Sequence, residues 1–187
     1  MPVSERGFSL LEVLIAMAIS SVLLLGSARF LPALQRDILQ NTRKVLLEEE
    51  IWQRVWTVAK HLQRAGYCRG TCVGEGLIIA SEGTCLIVQW DGNSNGKWDT
   101  TPVKEADQTG FRLKDEMLET LRGATSCEGK GWDRMTDPTT VRIKAFKVEQ
   151  HNISGFAPEI TLYVRGVSKA DPQTSIDAYY SVTGFNL

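Results

Sequence analysis

Hydrophobic residues are distributed unevenly along this 187-residue chain, and the longest apolar run lies near its beginning. Residues 8–28 carry a single ionisable side chain, that of Glu12. A helix of about 21 residues is roughly 31 Å long, which is enough to cross the hydrocarbon core of a bilayer. The run therefore predicts a transmembrane helix over residues 8–28.

Helical spacing of apolar side chains continues beyond this run and predicts a stem helix over residues 29–66. The apolar positions on one of its faces recur at steps of three, one, three and three residues, namely Trp52, Val55, Trp56, Ala59 and Leu62. Packing in the core is the interpretation that we favour for the two tryptophans. A stripe that binds a partner is the alternative.

From about residue 70 onward, short runs of β-forming residues alternate with turn residues. The predicted strands cover residues 77–79, 85–90, 111–113, 117–121, 141–148, 160–164 and 176–182. Strands that follow one long helix in sequential order are typical of an α+β fold with an antiparallel sheet. Residues 67–187 are therefore predicted to form a β-rich globular domain, and the stem helix is predicted to pack on its sheet.

Charge and motif content argue against two classes of function. The chain has 21 basic and 22 acidic residues, a formal net charge of −1, and no cluster of Lys and Arg, so we expect no nucleic acid among its partners. The two histidines, His61 and His151, show no spacing typical of metal ligands or of a catalytic pair. We therefore expect that the protein is not an enzyme.

All four cysteines, Cys68, Cys72, Cys85 and Cys127, follow the apolar run. An even number of cysteines beyond a membrane segment is typical of disulfides in an oxidising compartment, and a zinc site with four thiolates is the alternative. Four cysteines allow three pairings, and the sequence does not choose among them. Our working prediction pairs Cys68 with Cys72 and Cys85 with Cys127.

The segment from residue 91 to 99 carries oxygen atoms at the spacing of a calcium-binding loop. Asp91, Asn93, Asn95 and Asp99 occupy positions 1, 3, 5 and 9 of such a loop. Position 12, however, is Pro102 instead of a bidentate Glu. A β-turn rich in Asn and Gly requires the same residue types, and we favour this turn over calcium as a cofactor.

The residues before Glu12 explain why a charge lies within the apolar run. The string Arg6-Gly7-Phe8-Ser9-Leu10-Leu11-Glu12 leads directly into that run. It resembles the N-terminal signal of type IV minor pilins and type II secretion minor pseudopilins. A cleaved secretory signal and an ordinary single-pass anchor are the alternatives, but neither accounts for a carboxylate at this position.

This resemblance implies a processing step and a location. Residues 1–7 would be a leader that prepilin peptidase removes between Gly7 and Phe8, after which Phe8 would be N-methylated. The mature protein would cross the bacterial inner membrane once and hold its C-terminal domain in the periplasm. Its expected partners are prepilin peptidase, other minor and major pilins or pseudopilins, and the inner membrane.

Removal of the leader would create an ammonium group on Phe8, about one helical turn before Glu12. In a bundle of helices within hydrocarbon, the carboxylate of one subunit can pair with the ammonium of its neighbour and set the axial register between them. The alternative is that Glu12 only extends toward the lipid headgroups.

The resemblance also implies a pilin-like fold and a function in assembly. The chain is similar to the larger minor subunits, among them the J-type minor pseudopilin of type II secretion. Such a subunit would prime or cap assembly of a type IV pilus or a type II secretion pseudopilus. The alternative is a membrane-tethered periplasmic module that binds DNA or a secreted substrate.

Overall fold

The computed structural model describes Gly7 and residues 9–187, and the chain divides into two compact units, Met1–Arg43 and Lys44–Leu187. One helix, α1 (Leu10–Arg64), belongs to both units. It is rich in strong helix formers such as Leu, Ala and Glu. It ends just before Gly66, whose φ of 81° lies in the left-handed region that glycine adopts without strain.

Eight strands follow α1 and form two antiparallel sheets, in which neighbouring strands are also neighbours along the chain. The first sheet has the order β1-β2-β3-β4-β5, and its strands are Leu77–Ala80, Cys85–Gln89, Gln108–Lys114, Met117–Arg122 and Asp133–Arg134. The second sheet has the order β6-β7-β8, and its strands are Val141–His151, Glu159–Ser168 and Ser175–Thr183. Two short 3-10 helices, Ser81–Gly83 and Val103–Glu105, lie in the connections of the first sheet.

The core of the second unit lies between the last part of α1 and the two sheets. Buried apolar side chains on α1 recur at steps of four, four, three and four residues, at Leu47, Ile51, Val55, Val58 and Leu62. They join one hydrophobic cluster with side chains from both sheets, such as Phe111 in β3 and Phe146 in β6. Each fully buried side chain of this size contributes roughly 1.5–3 kcal/mol relative to its exposed state. This stripe therefore attaches the helix to the sheets.

The Ile51 side chain of α1 packs directly on the backbone of Gly166 in β7. A Cβ atom added to Gly166 would lie 2.2 Å from Cδ1 of Ile51, which is fully buried and β-branched. Because both side chains would occupy one space, a larger residue at position 166 would require the Ile51 side chain to move from its packed position.

The predicted α+β class is confirmed, since one long N-terminal helix precedes antiparallel strands, and each of the seven predicted strands overlaps an observed one. Two features differ from the prediction. The strands divide between two sheets, and β5 was not predicted. Both residues of β5, Asp133 and Arg134, are polar and exposed, so they carry no alternating pattern.

The core-packing interpretation is wrong for Trp56, which is 56% exposed, and only partly correct for Trp52, which is half-buried beside the core. Val55, Ala59 and Leu62 are buried as predicted. The two tryptophans each follow a buried residue of the stripe, and one position along a helix is a rotation of about 100°. They therefore lie on the flank of α1.

Candidate assembly site

The N-terminal motif lies at the first turn of α1. Gly7 is exposed, whereas residues 1–6 and Phe8 lie outside the described residues, so the predictions of cleavage and methylation remain predictions. Glu12 is the third residue of α1, and its Oε2 accepts a hydrogen bond of 3.3 Å from the backbone N–H of Ser9. A Ser before a helix and a Glu three residues later form a capping box, in which the carboxylate satisfies a backbone N–H.

This capping contact was not predicted from the sequence, although a Ser followed three residues later by a Glu is the pattern of a capping box. The contact gives Glu12 a structural role within its own chain. Within the described residues, Oε1 of Glu12 has no hydrogen-bond partner. One carboxylate oxygen can therefore cap the helix while the other accepts a bond from another chain.

Glu12 shares one face of α1 with small side chains. Ala16 and Ser20 follow it at steps of four residues. They line a shallow hollow on the helix together with Val13, Met17, Ser21 and Leu24. Small side chains allow helix backbones to approach closely, which strengthens packing between membrane helices. This face is therefore suited to a neighbouring helix.

Every residue of α1 from Leu10 to Arg43 is exposed. Among the described residues, α1 is the one helix long and apolar enough to cross a membrane. An apolar surface of this extent marks contact with lipid or with other chains. The segment fits a single-pass membrane anchor.

The four cysteines form two disulfides, Cys68–Cys72 and Cys85–Cys127, which is the pairing of the working prediction. The zinc alternative therefore has no free thiolate to act as a ligand. The second disulfide joins the start of β2 to the segment after β4, and Cys85 is buried. It is the longer-range of the two links, with a sequence separation of 42 residues against 4.

Asp91 organises the loop in which calcium ligands were considered. It is 1% exposed, and its carboxylate accepts hydrogen bonds from the backbone N–H groups of Asn95, Gly96 and Arg69 at 2.9–3.1 Å. Burial raises the pKa of Asp91, but these backbone donors outweigh it and hold the pKa below its usual value. The carboxylate thus acts as the acceptor at the centre of a turn.

The other proposed calcium ligands are also engaged within the loop. The side-chain amides of Asn93 and Asn95 both donate to Oδ2 of Asp99, at 3.0 and 2.7 Å. The carboxylate of Asp107 also joins this loop and accepts the N–H groups of Gly92 and Asp99 at 3.0 and 2.9 Å. These bonds fit the β-turn that we favoured. Calcium binding by this loop remains an untested alternative. The described residues contain no group of three or more His, Cys, Asp or Glu side chains able to hold a metal ion.

His61 lies on the packed part of α1, with its ring edge-on to Trp90 and Phe111 at centroid distances of 4.8 and 5.0 Å. Burial, aided by the charge of Arg64, lowers the pKa of His61 to about 4. Its Nδ1 atom is buried and has no hydrogen-bond partner in the described part of the chain. At neutral pH, His61 is therefore an uncharged residue packed against the core.

Comparison with known proteins agrees with this N-terminal geometry. Residues 3–28 match the model of the prokaryotic N-terminal methylation motif, and residues 40–184 match the model of prepilin peptidase-dependent protein B. Over its whole length the chain is 68% identical to prepilin peptidase-dependent protein B of Escherichia coli strain K12, all of which is covered. No solved structure matches the chain significantly.

Proposed function

The chain belongs to the prepilin peptidase-dependent protein B family, and from that membership we propose that it is a minor pilin-like subunit acting after processing by prepilin peptidase. It primes or caps the assembly of a type IV pilus or a type II secretion pseudopilus. Its role is structural and not enzymatic.

One observation carries this proposal, namely the position of the methylation motif. The motif covers residues 3–28, so Gly7 directly precedes a helical surface that is exposed from Leu10 to Arg43, and Glu12 lies within that surface. The helix cap gives Glu12 a role within its own chain, but a glutamine would serve as the cap without placing a costly charge in an apolar segment. A filament subunit uses that charge to pair with the Phe8 ammonium of its neighbour.

The disulfides and the anchor support the proposed location. Disulfides persist in oxidising compartments such as the bacterial periplasm. Both lie in the unit Lys44–Leu187, on the C-terminal side of the apolar segment. We therefore place the C-terminal domain in the periplasm and the first part of α1 in the inner membrane, beside other pilin-like subunits.

Mass measurement of the N-terminus tests the proposal. The full chain is extracted from membranes of cells with and without prepilin peptidase, and its intact mass is determined. We expect a chain that begins at methylated Phe8 in the first case and at Met1 in the second. A chain that begins at Met1 in both would contradict the proposal and favour a membrane-tethered binding module.

Two glycine variants provide a matched control for this measurement. Gly7→Ala changes the residue before the proposed cleavage site, and Gly26→Ala changes a glycine within α1. An added Cβ atom meets no described atom within 4 Å at either position. We expect that processing is lost in Gly7→Ala and complete in Gly26→Ala. Equal processing of both would show that cleavage does not depend on Gly7.

A further inference from the structure

Strand β8 is a long edge of the second sheet. Its nine residues, Ser175–Thr183, pair with β7 along one side, and no described strand pairs with the other side. Its register with β7 is regular from Glu159 opposite Thr183 to Val167 opposite Ser175. Tyr179, in the middle of the strand, is 71% exposed. A regular, exposed edge can pair with a strand from another chain.

Two hydrogen bonds at the ends of the β7–β8 pair show which backbone groups face this free edge. Ser168 N–H donates to Thr174 O, and Gly184 N–H donates to Pro158 O. Because hydrogen-bonded pairs alternate along an antiparallel ladder, even-numbered residues of β8 bond to β7. The backbone N–H and C=O groups of the odd-numbered residues therefore point outward, at Ser175, Asp177, Tyr179, Ser181 and Thr183.

The other sheet edges are short or covered. Strands β1 and β5 have only four and two residues. Strand β6 has a register shift in its pairing with β7 after Ile143, and the Ile143 N–H donates to the carbonyl of Glu116 outside that sheet. Proteins protect edges by such shortening, bulges and cover, and also by Pro or Lys. Strand β8 has neither Pro nor Lys, and Asp177 is its one charged residue. Among the described strands it is therefore the edge that is left open.

A hollow beside β8 indicates what would pair with it. Trp52 and Trp56 of α1 and Tyr180 of β8 line this hollow, and Glu49 and Gln53 complete it. A strand added along β8 would continue the sheet past Tyr180, so that alternate side chains would face α1 and cover the exposed tryptophan. Apolar side chains at those positions would remove this aromatic surface from water.

We propose that β8 receives an extended strand from a different pilin-like subunit, with apolar residues at alternate positions facing Trp56 and Tyr180. This inference rests on the proposed function. Backbone hydrogen bonds to the odd-numbered residues provide the affinity, and the hollow provides the specificity. A second copy of this chain is not the partner, because its other edges are short or covered. Two β8 edges would pair about a two-fold axis and close a dimer, whereas a filament grows by heterologous contacts.

Photo-crosslinking in membranes tests the proposal on the full chain, expressed together with the other pilin-like subunits of its host. A photo-crosslinking amino acid replaces Tyr179 in one variant. In the control variant it replaces Phe156, which is 78% exposed in the connection between β6 and β7. We expect the adduct with another pilin-like subunit to be at least about five-fold stronger from position 179 than from position 156.

A pair of substitutions at Ser181 separates backbone pairing from side-chain contact. Ser181→Pro removes one outward N–H and leaves the bonds between β8 and β7 in place, which an edge strand tolerates. Ser181→Ala keeps that N–H. With the crosslinker at position 179, we expect the adduct to fall at least about five-fold in Ser181→Pro and to persist in Ser181→Ala. Resistance to protease shows whether each variant is folded.

The outcomes distinguish this proposal from the proposed function. If the chain is processed to Phe8 and incorporated into filaments, but position 179 gives no stronger adduct than position 156, the β8 proposal is wrong and the proposed function stands. Adducts only with a second copy of the chain, or only with proteins that are not pilin-like, also overturn it. If Ser181→Pro does not fold, the comparison of positions 179 and 156 still shows whether another subunit binds at β8.

Discussion

The two parts of α1 have similar apolar residues but opposite surroundings. From Leu10 to Arg43 every residue is exposed, whereas after Leu47 one stripe of the helix is buried against the sheets. Both parts are rich in Leu, Val and Ile. The polar residues make the difference, since the first 18 residues of α1 contain one charge and the second part has a charged face that includes Glu48 and Lys60.

This difference shows that apolar content alone does not indicate a protein core. A helix that is apolar on all sides is suited to lipid and to other helices, whereas an amphipathic helix covers its own domain. The second part of α1 should therefore stabilise the unit Lys44–Leu187. Under the proposed function, the first part should act in the membrane and in the assembled filament, and should not stabilise that unit.

Substitution of Glu12 should abolish assembly without affecting folding. We expect Glu12→Ala to reduce the fraction of chain in purified filaments at least about tenfold, because loss of an ion pair in hydrocarbon exceeds about 1.4 kcal/mol. The stability of the unit Lys44–Leu187 should not change. Glu48→Gln, which alters another exposed carboxylate of α1, is the control.

Glu12→Gln then separates the two roles of this residue. Glutamine can still accept the hydrogen bond from Ser9 in a capping box, but it carries no charge. If Glu12→Gln assembles normally and Glu12→Ala does not, the helix cap is the essential role. If both assemble normally, the ion-pair hypothesis is wrong.

The two disulfides should differ in their contribution to the free energy of unfolding. Because a longer closed loop restricts the unfolded chain more, we expect loss of Cys85–Cys127 to cost about 4 kcal/mol and loss of Cys68–Cys72 about 2 kcal/mol. Double Cys→Ser variants of the full chain are unfolded by denaturant in detergent. All five tryptophans lie after Lys44, so their fluorescence reports on the second unit. Equal losses would contradict the chain-entropy explanation.

Two isoleucines of α1 allow a direct comparison of its two parts. Ile51 is fully buried and Ile19 is 58% exposed. We expect Ile51→Ala to lower the free energy of unfolding by about 3 kcal/mol, within the range for such cavities. Ile19→Ala should leave it unchanged within about 0.5 kcal/mol. The same denaturation experiment measures both. A comparable loss in Ile19→Ala would show that the first part of α1 also belongs to the folded core.

His61 should make the second unit less stable in acid. Its pKa is lowered from 6.5 to about 4 in the folded state, so below pH 6.5 the unfolded chain binds a proton that the folded chain does not. The contribution of His61 to the free energy of unfolding should be constant above pH 6.5 and should fall as the pH drops toward 4. The upper limit of this loss is about 3 kcal/mol, and solvent access to the ring reduces it further.

Denaturation at several pH values measures this effect. Between pH 6.5 and 4, the free energy of unfolding should fall less in His61→Leu than in the native chain. His151→Gln, which replaces an exposed histidine, should retain it. If the free energy of unfolding depends on pH equally in His61→Leu and in the native chain, His61 is not the cause of the acid sensitivity.

Much of the fold could be predicted because its signals are local. The apolar run, the spacing of Val55, Ala59 and Leu62, and the alternating strands each depend on residues close in sequence. The exposed position of Trp56 could not be predicted, since a shift of one residue along the helix separates core from flank. Nor could the role of Asp107, whose hydrogen bonds join a loop 15 residues away in the chain.

At the N-terminus, the leader motif, the apolar run and the carboxylate of Glu12 can be read from the sequence alone, because these are properties of consecutive residues. The buried face of the stem, the division of the strands into two sheets and the open edge of β8 became known only from the folded domain. Those features depend on which distant segments pair. Local pattern does not specify that pairing, because it follows from how the whole domain buries its apolar surface.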